Sequence, residues 1–294
     1  MKDKRMNKHI YYYVHTGHRI GLDRFHRAVA IINALPELEI TLLTSDFRIA
    51  QVAHQYGIKR AVGVDVVRNI PQIASSGDIL IFDSAEANPG MLKDMQVYFS
   101  TFIRVNDDPQ DQVYPGEYLI NPYVKDERCC NALAIAPMFF KEQNKSQESI
   151  FFFGDDDYEE DLLRYTANLK EKKMQLLLGF YFFIDYEDKL KDSFTELIEP
   201  EEYEETIKSA SSFVTSSPMA VLQALACESN PIYIQREDYI TDFLPLFKEL
   251  NIPCFDYKNM TEFDTFHKEN LSHNYQKLSS NVTNIADFLR NLLN

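Results

Sequence analysis

Short apolar runs alternate with stretches of helical periodicity along most of the chain, and this alternation limits the folds open to it. The runs Asp78–Asp83 and Ser149–Phe153 are apolar without a polar residue at every second position, which is typical of strands buried on both faces. The segment Leu22–Leu35 has apolar residues at helical spacing. Strands that alternate with helices of about 10–15 residues form right-handed βαβ units. The sequence therefore predicts an α/β fold with parallel sheets.

A polar segment near the middle of the chain, residues 139–148, has the composition of a linker. It separates two halves of similar length, and each half opens with a predicted strand. We therefore expect two Rossmann-type domains with a cleft between them, an N-terminal one over residues 1–138 and a C-terminal one over residues 149–294. One continuous sheet is the alternative.

The charge and the cysteine content exclude several classes of protein. The chain has 45 Asp and Glu against 30 Lys and Arg, a formal net charge of -15. Such a surface repels phosphate backbones and anionic lipid, so no nucleic-acid partner is expected. No apolar run approaches the roughly 18 residues of a membrane span, and the first apolar run is too short for a secretion signal. Four cysteines without a Cys-x-x-Cys pair predict neither a disulfide framework nor a zinc site. We expect a cytoplasmic protein.

The loop after the first predicted strand is unusually polar. Ligands of parallel α/β sheets lie at the carboxyl ends of the strands, so this loop is a candidate binding site. Gly17 and Gly21 loosen the turn, and the chain has no G-x-G-x-x-G or Walker A signature of a dinucleotide or P-loop site. The alternative is that Asp23 caps the next helix and the cations are solvated. The polar side chains of the loop and the helix start are His15, His18, Arg19, Asp23, Arg24, His26 and Arg27.

A second candidate site follows the strand predicted at Ser212–Ser216, where Pro218 opens a helix. The hydroxyls of Thr215, Ser216 and Ser217, with the positive helix end, form an anion site that suits a diphosphate. Gln223, further along that helix, is a candidate ligand for a ribose hydroxyl. The alternative is a plain serine cap on a core helix.

Acidic residues follow two other predicted strands. Gly154 and the acids Asp155–Asp157 come after the strand that ends near Phe153. A divalent metal site is one interpretation of these acids, but a capping box from Asp157 to Glu160 is preferred, so no metal is expected. Asp107 and Asp108 either line the cleft or form a turn before Pro109.

Three motifs in this order resemble a known family. The segment RIGLDRFHRAVAII, from Arg19, is similar to the loop and helix of the pseudaminic-acid-pathway UDP-sugar hydrolase and of the spore-coat-polysaccharide predicted glycosyltransferases. The segment TFIRVNDDP, from Thr101, resembles their strand with a paired-Asp turn. The segment FVTSSPMAVLQALA, from Phe213, looks like the donor-binding strand and helix of GT-B transferases such as the lipid-linked peptidoglycan N-acetylglucosaminyltransferase. The resemblance runs over roughly Ile10–Tyr257.

The chain departs from the family pattern at its catalytic position. A match without gaps aligns Gly21 and Arg27, but it places Arg24 where the family has a catalytic histidine. A shifted match restores the Gly-His pair at Gly17 and His18, yet it puts Gly21 where the family's arginine belongs. In the second half, Gln223 replaces the glutamate that relatives carry for the ribose.

The resemblance implies a GT-B-like enzyme of bacterial surface-polysaccharide or sugar-modification biosynthesis, with the active cleft between its domains. It would be an inverting, metal-independent glycosyltransferase with a UDP-sugar donor, a sugar acceptor and no cofactor. A hydrolase with water as the acceptor and a non-catalytic nucleotide-sugar-binding protein are the alternatives. Asp23 is narrowly preferred to His18 as the base, with His15 and His26 as weaker candidates, and Arg24 would hold a phosphate or an acceptor carboxylate. The expected substrate-binding residues are His15, Gly17, Arg19, Gly21, Arg27, Asp107, Asp108, Gly154, Thr215, Ser216, Ser217, Pro218, Met219 and Gln223.

Overall fold

The computed structural model describes residues 8–86, 88–146, 148–169, 172–239, 241–269 and 273–293. It divides the chain into two compact units. The first unit holds the chain up to Thr16, Arg24–Ala134 and the segment from Asn281. The second unit holds Gly17–Asp23 and Ile135–Ser280, so the polar loop after the first strand is counted with the second sheet.

The first unit is built on one parallel sheet, whose described strands follow the order β3-β2-β1-β4-β5-β6-β7. The strands are β1 (Ile10–Val14), β2 (Ile40–Thr44), β3 (Ala61–Gly63), β4 (Ile79–Asp83), β5 (Thr101–Val105), β6 (Tyr118–Ile120) and β7 (Cys129–Cys130). The helices of this unit are α1 (Asp23–Asn33), α2 (Phe47–Val52), α3 (Ile70–Ile73), α4 (Pro89–Tyr98) and the C-terminal α11 (Val282–Leu293). Every residue of β1 and β4 is buried, as the unbroken apolar runs predict.

The second unit repeats this plan with a smaller parallel sheet in the order β10-β9-β8-β11-β12-β13. Its described strands are β8 (Ser149–Phe152), β9 (Gln175–Leu177), β10 (Leu197–Ile198), β11 (Ser212–Thr215), β12 (Pro231–Gln235) and β13 (Cys254–Asp256). Its described helices are α5 (Leu162–Leu169), α6 (Ile184–Leu190), α7 (Tyr203–Ser209), α8 (Pro218–Ala226), α9 (Leu244–Glu249) and α10 (Met260–Glu269). The prediction of an α/β fold with two parallel sheets is confirmed.

Each sheet has its own apolar core. In the first unit the ring of Tyr13 stacks on Phe82, and Phe82 contacts Phe102. In the second unit Phe151 and Val214, on the adjacent strands β8 and β11, are fully buried. Because all the strands of one sheet run in the same direction, their carboxyl ends meet at one edge, and polar loops from different parts of the chain come together there.

The unit boundaries differ from the predicted domains at three places. The second unit begins at Ile135, within the range predicted for the first domain. Helix α11 belongs to the first unit, whereas the sequence boundary leaves it with residues 149–294. The segment Gly17–Asp23 belongs to the second unit, although β1 immediately before it is in the first. Among the described residues no helix is both long and apolar enough to cross a membrane.

Two predicted elements extend too far. The strand predicted at Gln175–Ile184 ends at Leu177. Gly179 packs directly against the backbone of the loop after β8. A Cβ at this position would lie 2.5 Å from the carbonyl oxygen of Gly154, and the chain turns there. The helix predicted from Tyr158 begins at Leu162 instead. The preceding residues form a turn that is closed by hydrogen bonds to Asp157.

Candidate functional site

A small pocket of the second unit lies at the carboxyl ends of β8, β11 and β12. Its volume is about 50 Å³, and it is partly open to solvent. The residues that line it come from four segments: Arg19, Ile20, Gly21 and Asp23; Phe153, Gly154, Asp155 and Asp156; Ser216, Ser217 and Pro218; and Arg236, Asp238 and Tyr239. The structure therefore brings together the two stretches that the sequence singles out.

The N-terminus of α8 forms one wall of this pocket. Ser217 is the N-cap residue, and its hydroxyl oxygen accepts from the backbone N–H of Ala220 at 3.1 Å. The backbone N–H of Ser217 donates to the hydroxyl of Thr215 at 2.9 Å. Pro218 at the first helical position has no N–H, so its ring removes a donor that would otherwise need a partner. The serine cap described by the alternative interpretation is thus present.

Asp23 places a carboxylate on this helix end. One oxygen accepts from the hydroxyl of Ser217 at 2.6 Å, and the other accepts from the backbone N–H of Met219 at 3.4 Å. A negative charge is favourable here because the helix dipole is positive at its N-terminus. The anion position of α8 is therefore taken by a side chain of the same protein.

His18 lies next to the pocket, outside the described residues that line it, and is fixed there by Asp156. The imidazole Nδ1 lies 2.8 Å from one carboxylate oxygen of Asp156. The other oxygen accepts from the backbone N–H groups of Arg19, at 2.9 Å, and Tyr158, at 3.2 Å. A carboxylate can only accept, so the proton of the imidazole is on Nδ1 and its Nε2 is the basic nitrogen. This is the pairing that orients a histidine for proton transfer.

The loop that carries His18 is a tight turn. The N–H of Gly21 donates to the carbonyl of Gly17 at 3.0 Å, and the two glycines form an isolated antiparallel bridge. Gly21 has a φ of 74°, a left-handed conformation that glycine adopts without strain. Arg19 between them has a φ of 65°, and its exposed guanidinium pairs with Glu159.

Asp155 is an acid of the pocket whose pKa is strongly raised. Its side chain is buried, and burial raises its pKa from 3.8 to about 8, with a further contribution from the charge of Asp23. The backbone amides of Phe180 and Leu22 oppose this shift. At neutral pH most Asp155 carboxyls therefore carry a proton, and the group is a hydrogen-bond donor in the pocket wall.

The three consecutive acids after β8 point to different partners. Asp156 holds His18, whereas Asp157 accepts from the backbone N–H groups of Asp161 at 2.8 Å and Leu162 at 2.9 Å. Asp157 thus closes the turn before α5, but Glu160 takes no part in a capping box, since its carboxylate pairs with Lys189. Within the described ranges no group of three or more His, Cys, Asp or Glu side chains has an arrangement that could hold a metal ion.

Arg236 is a cation of the pocket that sequence reasoning missed. Its guanidinium lies 4.2 Å from the ring centroid of Phe153, donates to the carbonyl of Asp156 at 2.7 Å and pairs with Asp238 at 2.6 Å. The signal was available, because Arg236 directly follows the buried strand β12 as Ser216 follows β11. The side chain of Tyr239 also lines the pocket and was missed as well.

Three residues predicted for the donor lie outside the pocket lining. Gln223 is buried, and its amide oxygen accepts from the hydroxyl of Tyr203 at 2.6 Å, so it is committed to the interior of the unit. Thr215 and Met219 are buried too. Among the described residues of this segment, Ser216, Ser217 and Pro218 face the pocket.

The predicted site residues of the first unit form a separate cluster. Buried Arg27 donates to Asp83 at 2.6 and 2.8 Å and also pairs with Asp107. Burial raises the pKa of Asp107, although the charge of Arg27 opposes the shift. The guanidinium of Arg24 lies 3.7 Å from Asp83, and the hydroxyl of Tyr12 donates to the same acid at 3.0 Å. Arg27 and Asp107 thus bind each other in an ion network at the carboxyl ends of β4 and β5.

His15 and Asp108 lie near this network with different partners. The Nδ1 of His15 is 3.7 Å from Glu86, and burial lowers the pKa of His15 although the charge of Glu86 opposes the shift. Asp108 is exposed, and its carboxylate accepts from the backbone N–H of Gln110 at 2.8 Å. This contact is the turn before Pro109 that the sequence allows as an alternative to a binding role.

No family model and no curated protein matches the sequence. The fold, in contrast, is similar to many solved structures. Methanocaldococcus jannaschii UDP-GlcNAc 2-epimerase, in complex with UDP-GlcNAc and UDP, aligns with a TM-score of 0.61 at 11% identity, over 96% of this chain and 99% of that one. The spinosyn rhamnosyltransferase SpnG, complexed with spinosyn aglycone, aligns with a TM-score of 0.57 at 10% identity, over 96% and 94%. Acinetobacter baumannii MurG aligns with a TM-score of 0.53 at 10% identity, over 97% and 99%.

These similarities extend over nearly the whole of both chains, and they show the fold. Together with the two parallel sheets they confirm the predicted two-domain GT-B architecture. The more specific resemblance to the pseudaminic-acid-pathway hydrolase and the spore-coat-polysaccharide family stays a prediction.

Proposed function

We propose that this protein is an inverting, metal-independent glycosyltransferase that uses a UDP-sugar as its donor. The observation that carries the proposal is that Asp156, which lines the pocket at the N-terminus of α8, also orients the imidazole of His18 beside that pocket. Two proteins of similar fold support the nucleotide-sugar part, since one is a UDP-GlcNAc 2-epimerase in complex with UDP-GlcNAc and UDP and the other is a rhamnosyltransferase.

The donor diphosphate would bind at the N-terminus of α8. There it would accept from the hydroxyl of Ser217 and the backbone N–H of Met219, the two donors that Asp23 now occupies. Because Asp23 already accepts from both donors, a diphosphate would bind them by displacing its carboxylate. The cations Arg19 and Arg236 line the same pocket and would offset the phosphate charge.

We assign the base to His18 rather than to Asp23, which the sequence narrowly favours. The carboxylate of Asp23 already accepts from the hydroxyl of Ser217 and the backbone N–H of Met219, so it is engaged at the helix end rather than presented to an acceptor. The Nε2 of His18 would take the proton of the acceptor hydroxyl. The oxygen of that hydroxyl would bond to the anomeric carbon as the bond from this carbon to UDP breaks and UDP leaves. Asp156 would then stabilise the imidazolium that forms, as the carboxylate does in other His–carboxylate pairs.

Binding and turnover measured together test the proposal. UDP, UDP-glucose, UDP-galactose and UDP-GlcNAc are titrated calorimetrically in the presence of EDTA, and UDP release is then followed with and without sugar acceptors. Acceptor-dependent UDP release in EDTA is the expected result. Release of free sugar without an acceptor would identify a hydrolase, and binding without release would identify a non-catalytic binding protein. Failure to bind any of the four compounds would refute the nucleotide-sugar proposal.

A further inference from the structure

Three aromatic side chains of the second unit surround the imidazole of His18. The ring of Phe183 stacks nearly parallel to it, with centroids 5.6 Å apart and an interplanar angle of 14°. Tyr158 meets it edge-on at 5.5 Å, and Tyr181 lies at 5.0 Å in a tilted orientation. We refer to Tyr158, Tyr181 and Phe183 as the aromatic wall.

Much of this wall is open to solvent. The side chains of Tyr158 and Phe183 are 49% and 51% exposed, whereas Tyr181 behind them is buried. Tyr158 and Phe183 also contact each other, with ring centroids 6.5 Å apart. Two large rings that touch each other and a histidine form a continuous apolar surface, and surfaces of this kind mark binding sites more often than scattered exposed residues do.

Phe183 does not cap the helix that it precedes. It is the N-cap residue of α6 and makes no side-chain capping bond. Ser, Thr, Asp and Asn are favoured at this position because their side chains satisfy a free N–H of the first turn, which a phenyl ring cannot do. A residue that weakens its own helix and leaves half its surface in water is most simply explained by a ligand.

The aromatic wall has polar groups beside it, and together they define the ligand. A ligand that fits needs an apolar face to pack on the rings and polar groups at its edge. The guanidinium of Arg19 lies over one face of the Tyr158 ring, 4.8 Å from its centroid, and Asp156 bonds His18 from the side of the pocket. A pyranose ring has this pattern, with C–H groups on its faces and hydroxyls around its edge. The C–H groups pack on the negative face of an aromatic ring, while the hydroxyls reach acids, a guanidinium and the imidazole.

We propose that the aromatic wall is the subsite for a pyranose ring, which it holds so that a ring hydroxyl faces the Nε2 of His18. That the bound sugar is a reactant of the enzyme rests on the proposed function. Phe183 and Tyr158 would then determine which sugars bind, because the stacked face must carry C–H groups rather than axial hydroxyls. They would act on sugar binding and leave the binding of UDP unchanged.

Saturation-transfer NMR with aromatic irradiation tests this subsite without a nucleotide. The probes are methyl β-D-glucopyranoside and methyl N-acetyl-β-D-glucosaminide, whose equatorial substituents leave C–H groups free on both faces. We expect transfer to the C–H protons of one face in the unmodified protein and in Phe183→Tyr, and at least a fivefold weaker signal in Phe183→Leu. Phe47→Ala is the matched control, since Phe47 is equally exposed, at 52%, and lies in the first unit.

Two results would overturn the subsite: no transfer in the unmodified protein, or equal transfer in Phe183→Leu. Tyr158→Leu serves the same purpose if Phe183→Leu does not fold by circular dichroism. UDP titration of the same samples separates this proposal from the previous one. UDP binding without sugar signals would remove the subsite and retain the donor site, whereas sugar signals without UDP binding would do the reverse.

Discussion

The hydroxyl of Ser217 donates to the carboxylate of Asp23 at 2.6 Å, so the N-terminus of α8 holds an anion that belongs to the protein itself. A nucleotide diphosphate would need the same donors. Ligand affinity then depends on how firmly Asp23 is held as well as on the contacts that the ligand makes.

Asp23→Asn should bind UDP about tenfold more tightly than the unmodified protein. Asparagine keeps the size of the side chain but removes the charge, and bonds to a charged group are worth roughly 1–2 kcal/mol more than neutral ones. Calorimetric titration measures the change. Asp65→Asn is the control for net charge, because Asp65 is exposed and lies in the first unit. Weaker binding by Asp23→Asn would show that Asp23 supports the ligand instead of competing with it.

Ser217→Ala should lower the free energy of unfolding by about 1–2 kcal/mol, as expected for loss of an N-cap. The substitution removes the acceptor of the Ala220 N–H and the donor to Asp23. Urea denaturation measures the loss, and Ser279→Ala, at an exposed position, is the control. An unchanged midpoint would mean that water replaces both bonds. Acidic substitutions at Ser216 and Ser217 are unsuitable as probes, because both side chains are buried.

Asp155 should make the protein less stable as the pH rises from about 4 to about 8. Burial raises its pKa from 3.8 to about 8, so in this window the native state keeps a proton that the unfolded state has lost. The native state then binds more protons, and the free energy of unfolding falls as the pH rises. The contribution is fully present below about pH 4 and is lost above about pH 8.

Asp155→Asn removes this titration, and urea denaturation at pH 5 and pH 8 tests it. The free energy of unfolding of the variant is compared with that of the unmodified protein at each pH. This difference should shift in favour of the variant by a few kcal/mol from pH 5 to pH 8, at roughly 1.4 kcal/mol per pKa unit. Asp65→Asn should show no such gain. A gain of the same size at both pH values would contradict the raised pKa of Asp155.

His18→Ala should reduce kcat by about 10²–10⁴-fold, the usual contribution of a general base, and leave the Kd for UDP unchanged. Asp156→Asn should reduce kcat to a similar extent, because its amide oxygen would accept from the N–H groups of Arg19 and Tyr158 and its NH₂ would face Nδ1, which places the imidazole proton on Nε2. Initial rates of UDP release measure both effects, with the exposed His54→Ala as the control. Near-native turnover of His18→Ala would exclude this histidine as the base.

The main strands and several helices of this protein are determined locally. β1, β4 and β8 contain unbroken apolar runs, and a run of this kind has to be buried on both faces wherever it lies in the sheet. The helices α8 and α11 begin within one residue of their predicted starts, because Pro218 and the amphipathic pattern before Leu293 are strong local signals.

Elements with a weak local pattern were missed. The strand β6 (Tyr118–Ile120) and the edge strand β7 (Cys129–Cys130) are too short to show a period, and they become strands by pairing with β5 and with each other. The helix α4 opens with Pro89 and Gly90, which favour a loop. It forms because Asn88 caps it, with its side chain accepting from the N–H of Met91 at 3.0 Å.

The candidate site shows the same division between local and tertiary information. The sequence by itself determined two polar stretches, the loop around His18 and the helix start at Ser217, because strand ends and a proline at the first helical position leave local signals. The tertiary structure alone decided that Asp156 orients His18, that Asp23 occupies the end of α8, and that Arg236 joins them. These contacts join residues 80 to 194 positions apart. Which partner a buried charge finds at that separation depends on how the parallel strands are ordered in the sheet, and no local pattern encodes that order.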